Sequence, residues 1–131
     1  MSVEGNGAAV SVTEEFAASG KRSLKVTDAA GLRQRFNPHF YYVPRHHEGV
    51  TRCSFDIRVE ETTEMYHEWR NEASPYRVGP SVSIKNGKLS AGGTELASLR
   101  VNQWVHLEIA ARFGRTTAAH GISASPCQDS R

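Results

Sequence analysis

The segment MYHEWRNEASPYRVGP, Met65–Pro80, is where a helical and a β interpretation of the chain differ most. In a helix, the glutamates that recur every four residues from Glu60 to Glu72 would stack on one face and repel one another. In a strand, successive side chains point to opposite faces. One face would then carry Met65, His67 and Trp69, and the other Tyr66, Glu68 and Arg70. This separation of apolar from charged side chains predicts a strand.

The same period of two recurs in short runs along the chain. The runs are AAVSV at 8–12, SLKVTD at 23–28, TRCSFDIRVE at 51–60, SVSIKNGKLSA at 81–91 and QWVHLEIAARF at 103–113. In the first two runs, Val10 and Val12 are expected to share one face, and Leu24 and Val26 are expected to face inward. The pair Asn86-Gly87 predicts a two-residue type I′ turn, because both central residues of that turn need positive φ. Such a hairpin places Ile84 opposite Leu89 and Val82 opposite Ala91.

Many short strands without a convincing helix predict an all-β antiparallel sandwich or barrel. A chain of 131 residues has room for one core, and we expect a single domain over 1–114. After Gly114 the sequence RTTAAHGISASPCQDSR becomes small, polar and aperiodic, which predicts an irregular tail over 115–131.

Composition excludes several classes of function. The 16 basic and 14 acidic side chains are scattered, so no basic stripe indicates nucleic acid as a partner. No apolar run approaches the roughly 20 residues needed to cross a membrane. The N-terminus lacks the features of a signal peptide, so the chain as written is expected in the cytoplasm. The two cysteines, Cys53 and Cys127, are too few for a disulfide framework.

Four phrases, taken in order, resemble the jelly-roll module of the concanavalin A-like lectin/glucanase superfamily, in its laminin-G-like form from large secreted bacterial proteins. They are SGKRSLKVTDAAGL, GVTRCSFDIRVE, EWRNEASPYRVGPSVSIKNGKLSAGG and LRVNQWVHLEIAARFG. The resemblance covers roughly Ala8 to Gly114 and implies a jelly-roll sandwich, with an extracellular or periplasmic parent protein. Such modules usually begin with an additional strand and continue after the QW.H.EI strand into at least one more. We therefore expect a sandwich that lacks terminal strands, and a shift of reading frame near Gly114.

A catalytic role is not expected. Retaining glycoside hydrolases, which occur in the superfamily, need two carboxylates about 5 Å apart. No Glu-x-Asp-x-Glu motif is present, and Arg58 lies between Asp56 and Glu60, where it would keep both acids ionised. The histidines His39, His46 and His47 lack metal-ligand spacing, and no Asp-rich calcium loop appears, so neither a metal nor a cofactor is predicted.

Carbohydrate binding is the functional prediction. Sugars are held by aromatic rings that stack on C–H surfaces and by charged groups that fix the hydroxyls. The candidate residues are Asp56, Arg58, Tyr66, Glu68, Arg70 and Tyr76, with Asp56 and Arg58 expected on a strand adjoining the other four. The predicted role is a non-catalytic carbohydrate-binding or adhesion module of a larger extracytoplasmic protein, with a polysaccharide and a catalytic domain of that protein as partners. The alternatives are a structural packing domain that binds no glycan and a glucanase-type hydrolase.

Overall fold

The computed structural model describes residues 1–113 and 120–127 of the chain. Over these residues the protein is all-β, with antiparallel strands and no helix, as the alternation predicts. The strands are β1 (Ala9–Thr13), β2 (Ser23–Thr27), β3 (Gly49–Arg58), β4 (Glu64–Arg70), β5 (Val78–Lys85), β6 (Lys88–Ala91), β7 (Thr94–Ser98), β8 (Trp104–Phe113) and β9 (His120–Pro126). No described segment forms a helix of the length and apolarity that a membrane span requires.

The chain divides into two compact units. The first covers Met1–Arg45, and the second begins at His46. The first unit holds the two-stranded sheet β1-β2, in which Val10 pairs with Val26 and Val12 with Leu24.

The prediction that Leu24 and Val26 of β2 face inward is wrong. Val12, Leu24 and Val26 are 67%, 49% and 50% exposed, and only Val10 is half-buried. Period two in the sequence defines a shared face, but it does not specify that another layer covers that face. A two-stranded sheet has no second layer of its own.

The second unit contains two sheets that share one core. Their strand orders are β3-β8-β9 and β4-β5-β6-β7. The buried residues of this core are Val59, Val82, Ile84, Leu89, Leu99, Leu107 and Ile109. Both sheets contribute to it, and the Trp69 ring of β4 lies 5.7 Å from the Phe113 ring of β8. The arrangement is compatible with a β-sandwich.

The turn between β5 and β6 confirms the predicted hairpin. Asn86 and Gly87 have φ of 51° and 69°, and Ile84 pairs with Leu89. The side chains of Ile84 and Leu89 are both buried, so the alternation correctly identifies the core face of each strand. The ladder ends at the pair Ser83–Ser90, one step before the predicted pair of Val82 with Ala91.

The structure differs from the predicted irregular tail at β9. This strand pairs with β8 from Val105–Pro126 to Ala111–His120. Ile122 and Ala124 pack against the core, and the serines between and beyond them are exposed. The alternation is therefore present, but its inward residues are too few and too small to be recognised beside the longer runs. The rest of the predicted tail, and with it the proposed frame shift, lies outside the described residues.

The Glu4 carboxylate forms hydrogen bonds with the loop that follows β2. Glu4 accepts hydrogen bonds from the backbone N–H of Arg33 at 2.6 Å, from that of Gln34 at 2.9 Å, and from the Asn37 side-chain amide. Partial burial of the carboxyl acts to raise the pKa of Glu4. The hydrogen bonds outweigh it and hold the pKa below the ordinary value of 4.5.

We expect the hydrogen bonds between the Glu4 carboxylate and this loop to weaken in acid and in the variant Glu4→Gln. A carboxyl whose pKa is lowered in the folded state stabilises that state above pH 4.5, and the contribution is lost as pH falls through the lower, folded value. Amide exchange monitored by NMR should show weaker protection of Arg33 and Gln34 in Glu4→Gln at neutral pH. The control is Glu14→Gln, which removes a carboxylate paired with Arg22 elsewhere in the same unit. Equal protection in Glu4→Gln and in the unmodified protein would contradict the assignment.

Candidate functional site

Four of the six predicted site residues lie together on the four-stranded sheet. Met65 and Trp69 of β4 pack against the core, so Tyr66, Glu68 and Arg70 point away from it. We call this surface the outer face of the four-stranded sheet. Tyr66 is 62% exposed. At about 3.3 Å per residue, Tyr66 and Arg70 lie roughly 13 Å apart along the strand.

Tyr76 reaches the site from the loop between β4 and β5. Asn71 closes the neck of this loop, because its N–H donates to the Arg77 carbonyl at 3.1 Å and its side-chain oxygen accepts from the Arg77 N–H at 2.6 Å. The Arg70 guanidinium carbon lies 4.2 Å from the centroid of the Tyr76 ring. Arg70 also forms an ion pair with Glu68. The three side chains therefore form one connected group at the end of β4.

A groove opens beside Tyr66 where β5 and β6 separate. β5 extends back to Val78 and β6 on to Ala91, but their ladder ends at Ser83–Ser90. The resulting fork has a volume of about 490 Å³ and is lined mainly by Tyr66, Ser81, Ser83, Ser90, Gly92 and Gly93. Ile122 of the opposite sheet also lines the fork. We call this feature the serine fork.

The residues that line the serine fork are uncharged, and apart from Tyr66, Pro80 and Ile122 they are small. A Cβ atom added at Gly92 or Gly93 would meet no atom within 4 Å, so these glycines border open space. Both have positive φ, of 55° and 82°, which glycine adopts without strain. Serine hydroxyls can both donate and accept hydrogen bonds, so the fork is suited to a ligand that carries hydroxyl groups.

Charges on the outer face are largely paired within the protein. Lys85 lies 2.8 Å from Glu64, and Lys88 lies 2.8 Å from Glu95. The hydrogen bond between Lys88 and Glu95 raises the pKa of the lysine and lowers that of the glutamate. The face as a whole therefore offers hydroxyls and aromatic rings more than unpaired charge.

The prediction that Asp56 and Arg58 adjoin the other candidates is wrong. Both lie on β3, whose hydrogen-bonded neighbour is β8 and not β4. Phe55 and Ile57 turn toward the shared core, so Asp56 and Arg58 face away from it on the three-stranded sheet. The two groups of candidates therefore lie on opposite outer surfaces and cannot bind one sugar residue together.

Asp56 takes part in a small polar cluster that sequence patterns did not indicate. Its Oδ1 lies 2.7 Å from His106 Nδ1 and 3.5 Å from Cys127 Sγ. Partial burial and the neighbouring carboxylate raise the pKa of the Cys127 thiol. The thiol is therefore protonated at neutral pH, and because the carboxylate stands between histidine and sulfur, the cluster lacks the arrangement that activates a cysteine nucleophile.

His67 lies on the core side of β4, between Met65 and Trp69. Its ring is 5.4 Å from that of Phe55, and its Nδ1 is buried without a hydrogen-bond partner. Burial lowers the pKa of His67 below 6.5, and the charge of Glu68 opposes this shift only in part. His67 is therefore a neutral packing residue at pH 7.

The remaining histidine candidates do not converge. His39 Nδ1 lies 2.7 Å from Asn37 Oδ1, and His46 Nδ1 lies 3.1 Å from Thr51 Oγ1. Across residues 1–113 and 120–127, no three His, Cys, Asp or Glu side chains are placed to hold a metal ion.

Sequence patterns missed the serines and glycines of the fork. Ser81, Ser83 and Ser90 are the outward residues of an alternating hairpin, and in sequence such residues are typical of any exposed face. The pair Gly92-Gly93 after β6 was the available signal, because consecutive glycines mark a turn with open space around it.

Comparison with known proteins gives no relative. The chain matches no protein-family model, no curated protein and no solved structure.

Proposed function

We propose that the chain is a non-catalytic carbohydrate-binding module with a jelly-roll fold of the concanavalin A-like type. The proposed site runs across the outer face of the four-stranded sheet, from the serine fork beside Tyr66 to the group formed by Glu68, Arg70 and Tyr76. Its partner is a neutral glycan or polysaccharide. The role implies a parent protein outside the cytoplasm, with this chain as an accessory to another domain.

One observation carries the proposal: an exposed tyrosine borders a groove that includes three serines, and a second tyrosine lies in the loop that follows the same strand. Tyr66 offers an aromatic face beside Ser81, Ser83 and Ser90. Tyr76, half exposed and covered by Arg70 on one side, offers the second contact. Aromatic faces and hydroxyls on one surface suit a ligand that combines C–H surfaces with hydroxyl groups.

Charge pairing favours a neutral glycan over an acidic one. Arg70 lies over the Tyr76 ring, and Glu68 already forms an ion pair with it. Lys85 and Lys88 are likewise paired with carboxylates. An acidic sugar would have to displace one of these carboxylates, whereas a neutral sugar can bind beside the existing pairs.

The carboxylates of this face also support a binding role over hydrolysis. Glu64 and Glu68 flank Tyr66 on one strand, roughly 13 Å apart along it. Acid–base pairs in glycoside hydrolases lie about 5 to 9.5 Å apart, and one of the two has a raised pKa. Glu64 and Glu68 are each held in an ion pair within the protein, with Lys85 and Arg70 respectively.

A glycan array followed by calorimetry tests the proposal. We expect binding to neutral oligosaccharides, weakened about tenfold in Tyr66→Ala because an aromatic contact is lost. The matched control is Tyr41→Ala, since Tyr41 is 72% exposed but belongs to the first unit. An array without hits for the folded protein would refute the proposal and favour a structural packing domain. Release of reducing ends from a bound glycan would instead indicate a hydrolase.

A further inference from the structure

A run of exposed aromatic and apolar side chains follows β2 in the first unit. It has the sequence FNPHFYYV, residues 36–43, and we call it the aromatic segment. Phe36, Phe40, Tyr41 and Val43 are between 50% and 72% exposed. Single exposed apolar residues are normal on a protein surface, but a group of them marks a surface that binds a partner or a membrane.

Hydrogen bonds fix the start of the aromatic segment to the rest of the first unit. The Asn37 side chain is buried and donates to the Glu4 carboxylate. Backbone bonds join His39 to Ser2 in both directions, at 2.8 and 3.1 Å. Residues 40–48 lie outside any strand and are all exposed. The segment is therefore held at its start and presents its later side chains to solvent.

The rings at the start of the segment also contact one another. The Phe36 ring meets the His39 ring edge-on, with the two centroids 5.3 Å apart. The His39 and Tyr41 centroids are 6.4 Å apart, and their planes differ by 17°. These contacts restrict Phe36 and Tyr41 while most of their surface stays exposed, so less side-chain entropy is lost when the segment binds.

The charges around the aromatic segment have one sign. From residue 29 to residue 47 the chain contains Arg33, Arg35 and Arg45 and neither Asp nor Glu. The Glu4 carboxylate lies near Arg33 and offsets part of its charge. Among the described residues, no carboxylate forms an ion pair with Arg35 or Arg45. The near balance of charge over the whole chain conceals this local excess.

The combination of rings and arginines is suited to the surface of an anionic membrane. Aromatic side chains favour the headgroup level of a bilayer, and each arginine near an anionic leaflet strengthens binding. Residues 40–48 have no regular secondary structure, and unpaired backbone groups are costly in the hydrocarbon region. The segment therefore suits the hydrated headgroup region and not the interior of the bilayer.

Single-stranded nucleic acid is the other anionic partner that exposed rings and arginines can bind. It suits the aromatic segment less well. Val43 offers no ring on which a base can stack, and one face of the Tyr41 ring is turned toward His39. The apolar side chains gain more from the headgroup region, where apolar surface of any shape is removed from water.

We propose that the aromatic segment, together with Arg35 and Arg45, binds the protein to an anionic lipid surface. Phe40, Tyr41 and Val43 lie at the headgroup level, and the arginines interact with the lipid phosphates. This site is independent of the proposed glycan site, which lies in the second unit.

Vesicle co-sedimentation of the full chain tests the proposal. We expect binding to vesicles that mix phosphatidylcholine with phosphatidylglycerol, weakened by salt, and little binding to phosphatidylcholine alone. Tyr41→Ala should lower the partition coefficient about tenfold, and Arg45→Gln about fivefold. The matched controls are Tyr66→Ala, in the glycan site, and Lys21→Gln, which removes an exposed charge elsewhere in the first unit. Both should bind vesicles like the unmodified protein.

The two tyrosine variants exchange roles between the lipid and glycan tests, so failure of one proposal is distinguishable from failure of the other. Absence of binding to the mixed vesicles would overturn the lipid proposal. Equal losses in Arg45→Gln and Lys21→Gln would also overturn it, because they would show attraction by net charge alone. A protein that ignores the vesicles but binds a single-stranded oligonucleotide would assign the segment to nucleic acid instead.

Amide exchange followed by mass spectrometry identifies the bound segment without any substitution. Peptides that cover residues 36–45 should exchange more slowly when the mixed vesicles are present. Peptides that cover residues 71–77, an equally exposed loop of the second unit, serve as the control and should be unchanged. Slower exchange confined to peptides outside 36–45 would place the lipid contact elsewhere and exclude the proposed site.

Discussion

The variant Leu89→Ala should lose about 3 kcal/mol of unfolding free energy. Leu89 is fully buried at the start of β6, directly opposite Ile84. Truncation removes apolar atoms from the core and leaves a cavity, because the two sheets are held by their own ladders and cannot collapse onto the gap. Urea unfolding followed by tryptophan fluorescence measures the change, since Trp69 packs against this core.

Leu96→Ala is the matched control for the core prediction. Leu96 lies on neighbouring β7 and is 45% exposed, so the same truncation should cost well under 1 kcal/mol. Equal losses in the two variants would mean that the Leu89 side chain is not buried between the two sheets as described.

The variant His67→Leu should stabilise the protein by about 2 kcal/mol. The buried Nδ1 of His67 lacks a hydrogen-bond partner, and leucine removes this polar atom while keeping apolar contact with Phe55. Urea unfolding at pH 7 measures the gain. His47→Leu is the control, because His47 is exposed and its replacement fills no buried position.

The pH dependence separates this effect from a general gain in hydrophobicity. The pKa of His67 is lowered by burial, so below pH 6.5 the unfolded chain binds a proton that the folded chain resists. Stability should fall as pH decreases from 6.5 toward the lower, folded pKa. This loss should be absent in His67→Leu and retained in His47→Leu. A similar acid dependence in both variants would show that another group is responsible.

Alternation in the sequence predicted the strands that have one large apolar side chain at every second position. It identified β3, β4, the β5–β6 hairpin and β8, including the core faces of Phe55, Ile84 and Ile109. It missed β7 because Leu96, its largest apolar residue, points outward while the small Ala97 packs inward. It missed β9 because only two of its residues, Ile122 and the small Ala124, pack inward.

The candidate site was predictable within one strand but not between strands. Tyr66, Glu68 and Arg70 share a face because side chains alternate, which is a local property of the chain. Asp56 was assigned to the same surface on the assumption that neighbours in sequence are neighbours in the sheet. The structure pairs β3 with β8 instead, and this choice depends on contacts between distant segments that no local pattern records.

The pairing of β3 with β8 has a consequence for how the chain reaches its native state. Four strands, β4 to β7, lie between the two partners in the sequence. Closing so long a loop loses chain entropy before the first ladder bond forms, so this step is slow compared with closure of the Asn86-Gly87 hairpin. During synthesis β3 leaves the ribosome well before β8, and until β8 follows, both of its edges are open to misassembly with other nascent chains.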